Sequence, residues 1–450
     1  MQEVKKKKQT PLATLKDLIS RNREFDIIDL FSDMHPADIA DLIDELDEED
    51  RLHLFTLLDV DKASDVILEL SDNSREQLIE DLSNEQLTDI IEEMESDDKA
   101  DIIAELSDDQ AKAVLDAIEP EESQEVKELL RHPEDTAGGI MQRELISALP
   151  NATVDEVIAE IRRLHTEIQN IHMVYVVDNR RMLVGTVPLV NLILSKPDAT
   201  MAQIMDFDPM TVPVDMDQEQ VANLFKRYDS MVMPVVDEQG ILLGRITVDD
   251  VVDIMEEEAT EDMFMLAGAE EDLLSSSVIR NASTRIPWLF VSWVGGVLAT
   301  FLIRGFETTI SKVVGLAAFM PIILGMGGNV ASQAVALIVR GIATGASSTT
   351  NFKSIVIKQI GVGILLGAMF GAMLGAIAFF LYPDELRISV VVALSILISM
   401  SLASFTGTLL PILFYKLNKD PAVASGPFVT TAMDIMGVAA YLGIAVALIF

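Results

Sequence analysis

The chain has 450 residues and a formal charge of −39, yet half of its residues are hydrophobic. Residues 286–450 hold eight basic and five acidic side chains, a net of +3, which leaves −42 on the first 285 residues. An acidic soluble half joined to an almost uncharged apolar half excludes a soluble enzyme, and the soluble half is too acidic to be a binder of nucleic acid or of an anionic lipid surface.

Cys is absent, so disulfides, thiolate metal sites and Cys nucleophiles are excluded together. All five His (His35, His53, His132, His165 and His172) lie in the soluble half and none can serve the apolar one. The first ten residues are basic and lack an apolar core, which argues against a signal peptide; Lys5–Lys8 read as a solvated tail. A tail and first helix occupy residues 1–35.

Residues 36–131 form an acidic helical domain, in which residues 36–119 repeat every 12 positions. Leu46, Leu58, Leu70, Leu82, Met94, Leu106 and Ile118 make one apolar column; Leu54, Val66, Leu78, Ile90, Ile102 and Val114 make a second; Ile43, Phe55, Ile67, Ile79, Ile91, Ile103 and Leu115 make a third. Each unit has room for two helical turns and a tight turn, and Ser83 with Gln86 and Ser107 with Gln110 have the spacing of capping boxes. Stacked units form a superhelix with apolar columns inward and carboxylates outward. Asp97, Asp98 and Asp101 fall on one helix start, where like charges repel unless a counterion sits among them.

Residues 132–200 and 201–255 are two copies of a second repeat. Ile140-Met141 answers Ile204-Met205 at an offset of 64, whereas Val176-Val177-Asp178 answers Val235-Val236-Asp237 and Gly185 answers Gly244 at 59. The difference is expected around residues 165–171. Each copy reads as helix, strand, turn, strand, helix, with β-branched strands and a turn at 237–240. This resembles a tandem pair of CBS domains, modules that often bind adenine nucleotides through a Thr/Ser and an Asp three residues later. The second copy has Thr247 and Asp250; the first has Pro188 and Asn191, so ATP or another adenine nucleotide is a weakly supported ligand.

Residues 249–268 predict a helix carrying eight carboxylates from Asp249 to Asp262, whose i,i+4 repulsion disfavours it in isolation and favours neutralisation by a divalent cation. It opens a connecting segment at 256–285. Five apolar stretches follow, at 286–303, 313–339, 359–382, 388–415 and 427–450, the first being short for a span of about 20 residues. Arg280, Arg285, Arg340, Lys353, Lys358, Lys416 and Lys419 fall on one side, and Arg304, Lys312 and Arg387 on the other. The basic excess puts the acidic half in the cytoplasm and Phe450 outside. Pro321, the glycines at 325, 327 and 328, Pro411 and Gly437 predict broken helices beside a wet cavity.

Asp434 is the one charged residue within a clear span. A carboxylate there costs roughly 2.5–3.5 kcal/mol on insertion scales, so it is expected to line a polar path. Gly328, with the side-chain oxygens of Asn329, Ser332 and Gln333, adds hard donors, a set that suits Mg2+, Ca2+ or Mn2+. One carboxylate per chain fits a hydrated Mg2+ ion, and a two-fold dimer would place two copies across one axis.

The order of these parts, the stretch from Pro321 to Asn329, Asp420-Pro421 through Asp434, and the segment from Asp249 to Asp262 resemble the MgtE family of magnesium transporters and channels. The resemblance implies a multidomain membrane protein: a cytosolic α-helical superhelix, an α/β CBS pair, a connecting plug helix and a five-helix transmembrane domain. It implies a homodimeric Mg2+ channel in the plasma membrane, with Mg2+ as both transported and regulatory ion. It places hydrated Mg2+ at Asp434. It also places cytosolic Mg2+ among Asp65, Asp97 and Asp101 of the superhelix, and Asp217, Glu219, Asp229, Asp250 and Asp253 of the CBS pair. Glu258, Glu261 and Asp262 of the plug helix and Asp420 of the last loop complete the set. Gly426 stands where the family often has an Asn near the pore. Other readings are a CBS-regulated carrier of Co2+ or Mn2+, a CBS-regulated anion channel, and a membrane-anchored nucleotide sensor.

Overall fold

A computed structural model of the chain describes residues 10–164, 168, 170–267, 278–343, 352–417, 419–424 and 426–449. Lys5–Lys8, most of the segment 165–171, residues 268–277 of the connecting segment and Phe450 lie outside the described residues. The chain divides into two compact units, Met1–Ile254 and Met255–Phe450.

The first unit opens with α1 (Pro11–Ser20) and α2 (Glu24–Ser32). The repeat then gives α3 (Pro36–Asp44), α4 (Glu48–Phe55), α5 (Val60–Leu68), α6 (Asp72–Asp81), α7 (Asn84–Glu92), α8 (Ser96–Glu105), α9 (Asp108–Ala117) and α10 (Pro120–Leu129). Their starts stand 12 residues apart throughout. The side chains of Asp47, Asp59, Ser83 and Ser107 each accept a hydrogen bond from the backbone N–H three residues on, and both expected capping boxes form. Helices stack on their second neighbours, α3 on α5, α5 on α7 and α7 on α9, with α4 on α6 and α8 on α10. The three apolar columns fill the space between, with Leu54, Val66, Ile67 and Val114 wholly buried. This is a superhelix of short helices, each too short to stand without its neighbours.

Two three-stranded sheets follow. The first contains β1 (Ile146–Ala148), β2 (Met173–Val177) and β3 (Leu183–Pro188), with α11 (Val154–Leu164) between β1 and β2 and α12 (Leu189–Leu194) after β3. The second follows α13 (Met201–Ile204) and contains β4 (Val212–Pro213), β5 (Val232–Val236) and β6 (Leu242–Thr247), with α14 (Gln218–Tyr228) after β4 and α15 (Val248–Ala267) after β6. In each, the first pair is parallel and the second antiparallel. The leading strands β1 and β4 correct the expected element order. At three and two residues they are too short to show a two-residue period. The expected turn at 237–240 forms, with Gly240 at φ +81°.

The unequal offsets arise where expected: α11 and α14 stand 64 apart, whereas β2 and β5 stand 59 apart, so the longer connection lies between α11 and β2. The leading segments of the two copies are, separately, exchanged. Gln142, in the leading segment of the first copy, pairs with Arg245 of the second, and Asp206, in the leading segment of the second, pairs with Thr186 of the first. Met141 therefore packs on Gly244 and Met205 on Gly185, where a Cβ would stand 2.6 and 2.7 Å from a backbone oxygen.

The second unit contains α16 (Val278–Gly305), α17 (Glu307–Lys312), α18 (Gly315–Ala343), α19 (Phe352–Leu381), α20 (Leu386–Lys416), a 3-10 turn (Ala422–Ala424) and α21 (Gly426–Ile449). Five of these helices, the exception being α17, are long and apolar enough to cross a membrane. The first extends well beyond 286–303, because its opening turns are polar and carry Pro287. α18, α20 and α21 run unbroken through Pro321, the glycines at 325–328, Pro411 and Gly437, which corrects the expected broken spans. Within hydrocarbon the backbone has no partner other than itself, so the helix outlasts the one hydrogen bond each proline removes.

Neighbouring spans alternate in direction. Phe319 of α18 meets Tyr382 beyond α19, Tyr441 of α21 donates to the Leu316 carbonyl (2.7 Å), and Arg387 donates to the Ile449 carbonyl (3.2 Å). At the opposite rim Phe352 meets Tyr415 and Lys416. α20 packs on α18, α19 and α21, and α16 on α21. α19 presents Gly363, Gly367, Gly371 and Gly375 to α20, where small residues let backbones approach. A Cβ at Gly371 would stand 2.5 Å from the Ala393 carbonyl oxygen, whereas one at Gly361 would meet open space. Gly371→Ala is expected to destabilise the detergent-solubilised protein by roughly 1–3 kcal/mol, and Gly361→Ala to leave it unchanged or slightly better, as read by thermal unfolding.

Candidate divalent cation sites

The start of α8 gathers acids. Glu95 is the N-cap and makes no side-chain capping bond; Asp97 and Asp98 occupy the first turn. The Ser96 hydroxyl accepts from the Arg143 N–H (2.8 Å) and donates to Glu144 Oε2 (2.8 Å), which draws Glu144 in across 48 residues of sequence. From the second CBS copy, Asp250 Oδ2 accepts from the Thr247 hydroxyl (2.7 Å) and from Gln142 Nε2 (3.3 Å). Burial, then neighbouring carboxylates, hold these acids far above their ordinary range. Glu95 is pushed up to about 7, with Glu144, Asp250 and Asp249 opposing its charge and Arg245 favouring it. Asp98 is pushed up to about 8 by burial and by Asp250, Glu95, Asp101 and Glu144. Asp250 rises to about 6. Asp97 is raised by burial, Asp98 and Asp250; it is only 6% exposed, and its Oδ1 has no hydrogen-bond partner.

An orphaned, buried carboxylate oxygen facing other carboxylates is the environment a hard cation would relieve. Among the described residues, no three such side chains approach closely enough to form a finished ligand set.

The other expected residues lie apart from this cluster or at its edge. Asp101 is exposed one turn along α8, within the fields of Asp98 and Arg75. Asp253 is exposed one turn beyond Asp249 and acts on Asp250. Asp65 stands beside Asp61, His35 and Lys62. Asp217 caps α14 by accepting from the Gln220 N–H (3.3 Å), Glu219 lies in the same first turn, and Asp229 ends that helix in the left-handed region (φ 49°). In the second unit, Asp262 is pushed up to about 6 by burial, then by Asp420 and Glu261, so these acids form a second cluster; Glu258 lies one turn earlier on α15. Asp420 Oδ1 accepts from the Ala422 N–H (2.7 Å).

Asp98 and Asp249 belong to acid runs for which the sequence already called for a cation, whereas Glu95 and Glu144 of the first cluster were not singled out. Glu95 stands two residues before Asp97, so proximity was an available signal. Glu144 gave none, because only the fold brings it to α8.

In the membrane half, Asp434 is half-buried on α21. Met433 lies against Gly327, and Gly437 against Leu324, so its turn is level with the glycine-rich turn of α18. Asn329 is exposed there, and beside Gly328 the space is open. Thr430 donates to the Gly426 and Pro427 carbonyls, and Thr431 is pressed against Gly295 of α16. Gly426 opens α21 with φ +27°, a conformation that suits glycine.

These parts define a multi-pass membrane transporter, rather than an enzyme, with a cytosolic superhelix and a CBS pair. The family model for MgtE, a divalent cation transporter, matches residues 320–444; that for the MgtE intracellular N domain matches 34–135; CBS domains match 137–195 and 201–257. The magnesium transporter MgtE of Thermus thermophilus is 37% identical over 325 residues, 71% of this chain and 72% of that protein. The magnesium transporter MgtE of Enterococcus faecalis is 35% identical over 324 residues, 72% and 71% of the respective chains. A crystal structure of the cytosolic domain of the Mg2+ channel MgtE in complex with ATP aligns with TM-score 0.52 at 35% identity, covering 54% of this chain and 99% of that one. The chain belongs to the MgtE family.

The raised acids fix the sign of a pH effect. Glu95, Asp98 and Asp250 bind protons more tightly folded than unfolded, so their contribution is fully present below their unfolded values and is lost as pH rises through about 6 to 8. In divalent-free buffer the unfolding midpoint of the full chain is expected to fall between about pH 5.5 and about 8.5, and Asp98→Asn to flatten the fall. A midpoint that climbs with pH would contradict the assigned cluster.

Proposed function

We propose that the protein mediates Mg2+ entry across the plasma membrane as a homodimeric channel, and that cytosolic Mg2+ closes it by binding the acidic soluble parts. The observation that carries the pore is Asp434, a half-buried carboxylate on the fifth span, level with Gly327 and next to open space at Gly328 and Asn329. A single carboxylate per chain holds an ion through its waters, and a second copy across a two-fold axis doubles the field. The names of the relatives support Mg2+ as cargo. The rim holding Phe352, Tyr415 and Lys416 carries the basic excess, which supports an inward N-terminus and an outward C-terminus. A divalent ion gains about 4.6 kcal/mol across 100 mV, enough to drive uptake without a nucleotide.

The regulatory reading divides the chain into an acidic superhelix at 36–131, CBS copies at 132–200 and 201–255, a plug segment at 256–285 and the membrane domain at 286–450. Without a cation the carboxylates of Asp97, Asp98 and Asp250, and of Asp262 and Asp420, repel; with one, the compact state is favoured. Reversing a 1:99 equilibrium takes about 5.5 kcal/mol of differential binding. A site filled to ten times its Kd in the compact state alone supplies roughly 1.4 kcal/mol, so about four weak sites suffice. The ATP-bound relative supports a nucleotide as a secondary ligand of the second CBS copy, where Thr247 and Asp250 are paired; in the first, Pro188 ends β3 and Asn191 takes the place of the acid.

Two flux measurements in liposomes test this reading. Asp434→Ala is expected to abolish Mg2+ flux in a protein of unchanged elution profile; unaltered flux removes the pore assignment. Asp250→Asn, Glu258→Gln and Asp262→Asn combined are expected to leave the channel conducting at high internal Mg2+, and continued inhibition would remove the gating assignment.

A further inference from the structure

The acid cluster contains a cation of its own. Arg245 on β6 is 3% exposed. Its backbone N–H and C=O both pair with Gln142 (2.9 and 2.7 Å), whose side chain donates to Asp250. Its Nη1 donates to the Asn170 carbonyl (3.2 Å), and its charge acts on Glu95 and on Tyr175. A guanidinium fixed at both backbone and head can neither leave nor lose its proton. The internal repeat supplies the comparison: at the offset of 59, Arg245 answers Thr186 of the first copy, buried at the corresponding place on β3. The sheet therefore accommodates a small neutral residue at this position, and the guanidinium occurs in the copy whose edge carries Asp250.

We propose that Arg245 is a built-in counter-cation that sets the divalent-ion affinity of the cluster formed by Glu95, Asp97, Asp98, Glu144 and Asp250. It holds the cluster together in part when no ion is bound, and it opposes the ion that arrives. Both effects lower affinity, which lets the site empty and refill over the range of an abundant ion instead of remaining saturated. The inference rests on the reading of this cluster as a regulatory site, and the experiment separates the two.

The measurement is Mg2+ flux through the full-length protein in liposomes against internal Mg2+. In Arg245→Thr, the residue of the sister copy, the inhibition midpoint is expected to move to lower Mg2+ by at least roughly fivefold, the order expected even at the dielectric constant of water when a unit charge stops opposing a divalent ion nearby. Arg245→Lys, which keeps the charge, is expected to stay within about twofold of the parent. A merely structural role would move both variants alike. An unchanged or higher midpoint in Arg245→Thr overturns the proposal while leaving the regulatory site standing; a parent protein indifferent to internal Mg2+ overturns both. If Arg245→Thr does not fold, Glu95→Gln and Asp98→Asn decide. Glu95 is the acid that Arg245 already offsets, so its loss is expected to weaken inhibition less than loss of Asp98, and equal or reversed losses overturn the proposal.

Discussion

Repulsion between carboxylates that the fold has removed from water is the constraint on which the soluble half turns. Elsewhere in the superhelix, acids at helix starts serve the helices: Asp47 and Asp59 accept from backbone N–H groups and complement the helix dipole. The start of α8 departs from that use. Glu95 occupies the cap position without capping, and Asp97 keeps one oxygen unpaired while buried. A protein with 72 acidic residues has ample means of leaving them in solvent. Burying this group beside Asp250 raises the free energy of the ion-free state, and that stored cost is what the proposed cation would recover.

The membrane half obeys the opposite rule. Its helices carry few charges and are held by close approach: four glycines of α19 against α20, and Gly407 of α20 against the Ala331 carbonyl of α18. Buried Ser395, Ser399, Ser404 and Thr408 line α20, and the Ser399 hydroxyl faces Gly327 and Gly437. In this tight, neutral setting one carboxylate on α21 dominates the local field. Gly327 and Gly437 bring α18 and α21 together at its level, so packing fixes its height in the membrane. The outward faces of α16 and α18 remain uncovered in the single chain, as expected of helices that meet lipid or another copy.

The sequence made visible whatever is periodic or repeated. The 12-residue columns gave seven of the eight helices, α3 to α9, because each short helix needs the same buried contacts; α10 continues the period beyond the last column residue. Ser83 with Gln86 and Ser107 with Gln110 were legible because capping is local. Gly185 and Gly244 marked the same close approach in two sheets. The unequal offsets of 64 and 59 marked the longer connection between α11 and β2, but spacing alone could not reveal that the leading segments pair with the opposite copies. Glu144 was invisible, since nothing near it in sequence points to Ser96. The prolines misled, because their local preference to break a helix is overruled where the backbone has no other partner.

α15 joins these two regimes. It runs unbroken from Val248 to Ala267, with Asp250 near its start and Asp262 twelve residues later, about 18 Å along the axis. Between them Asp253, Glu257 and Glu261 stand four apart, as do Glu258 and Asp262, spacings at which like charges oppose helix formation. Few of its side chains are buried, Val251 and Ile254 among them. Packing therefore contributes little against that repulsion, and screening of the acids contributes more. On the proposed reading, a cation held at either acid would relieve the repulsion among the carboxylates one turn away from it.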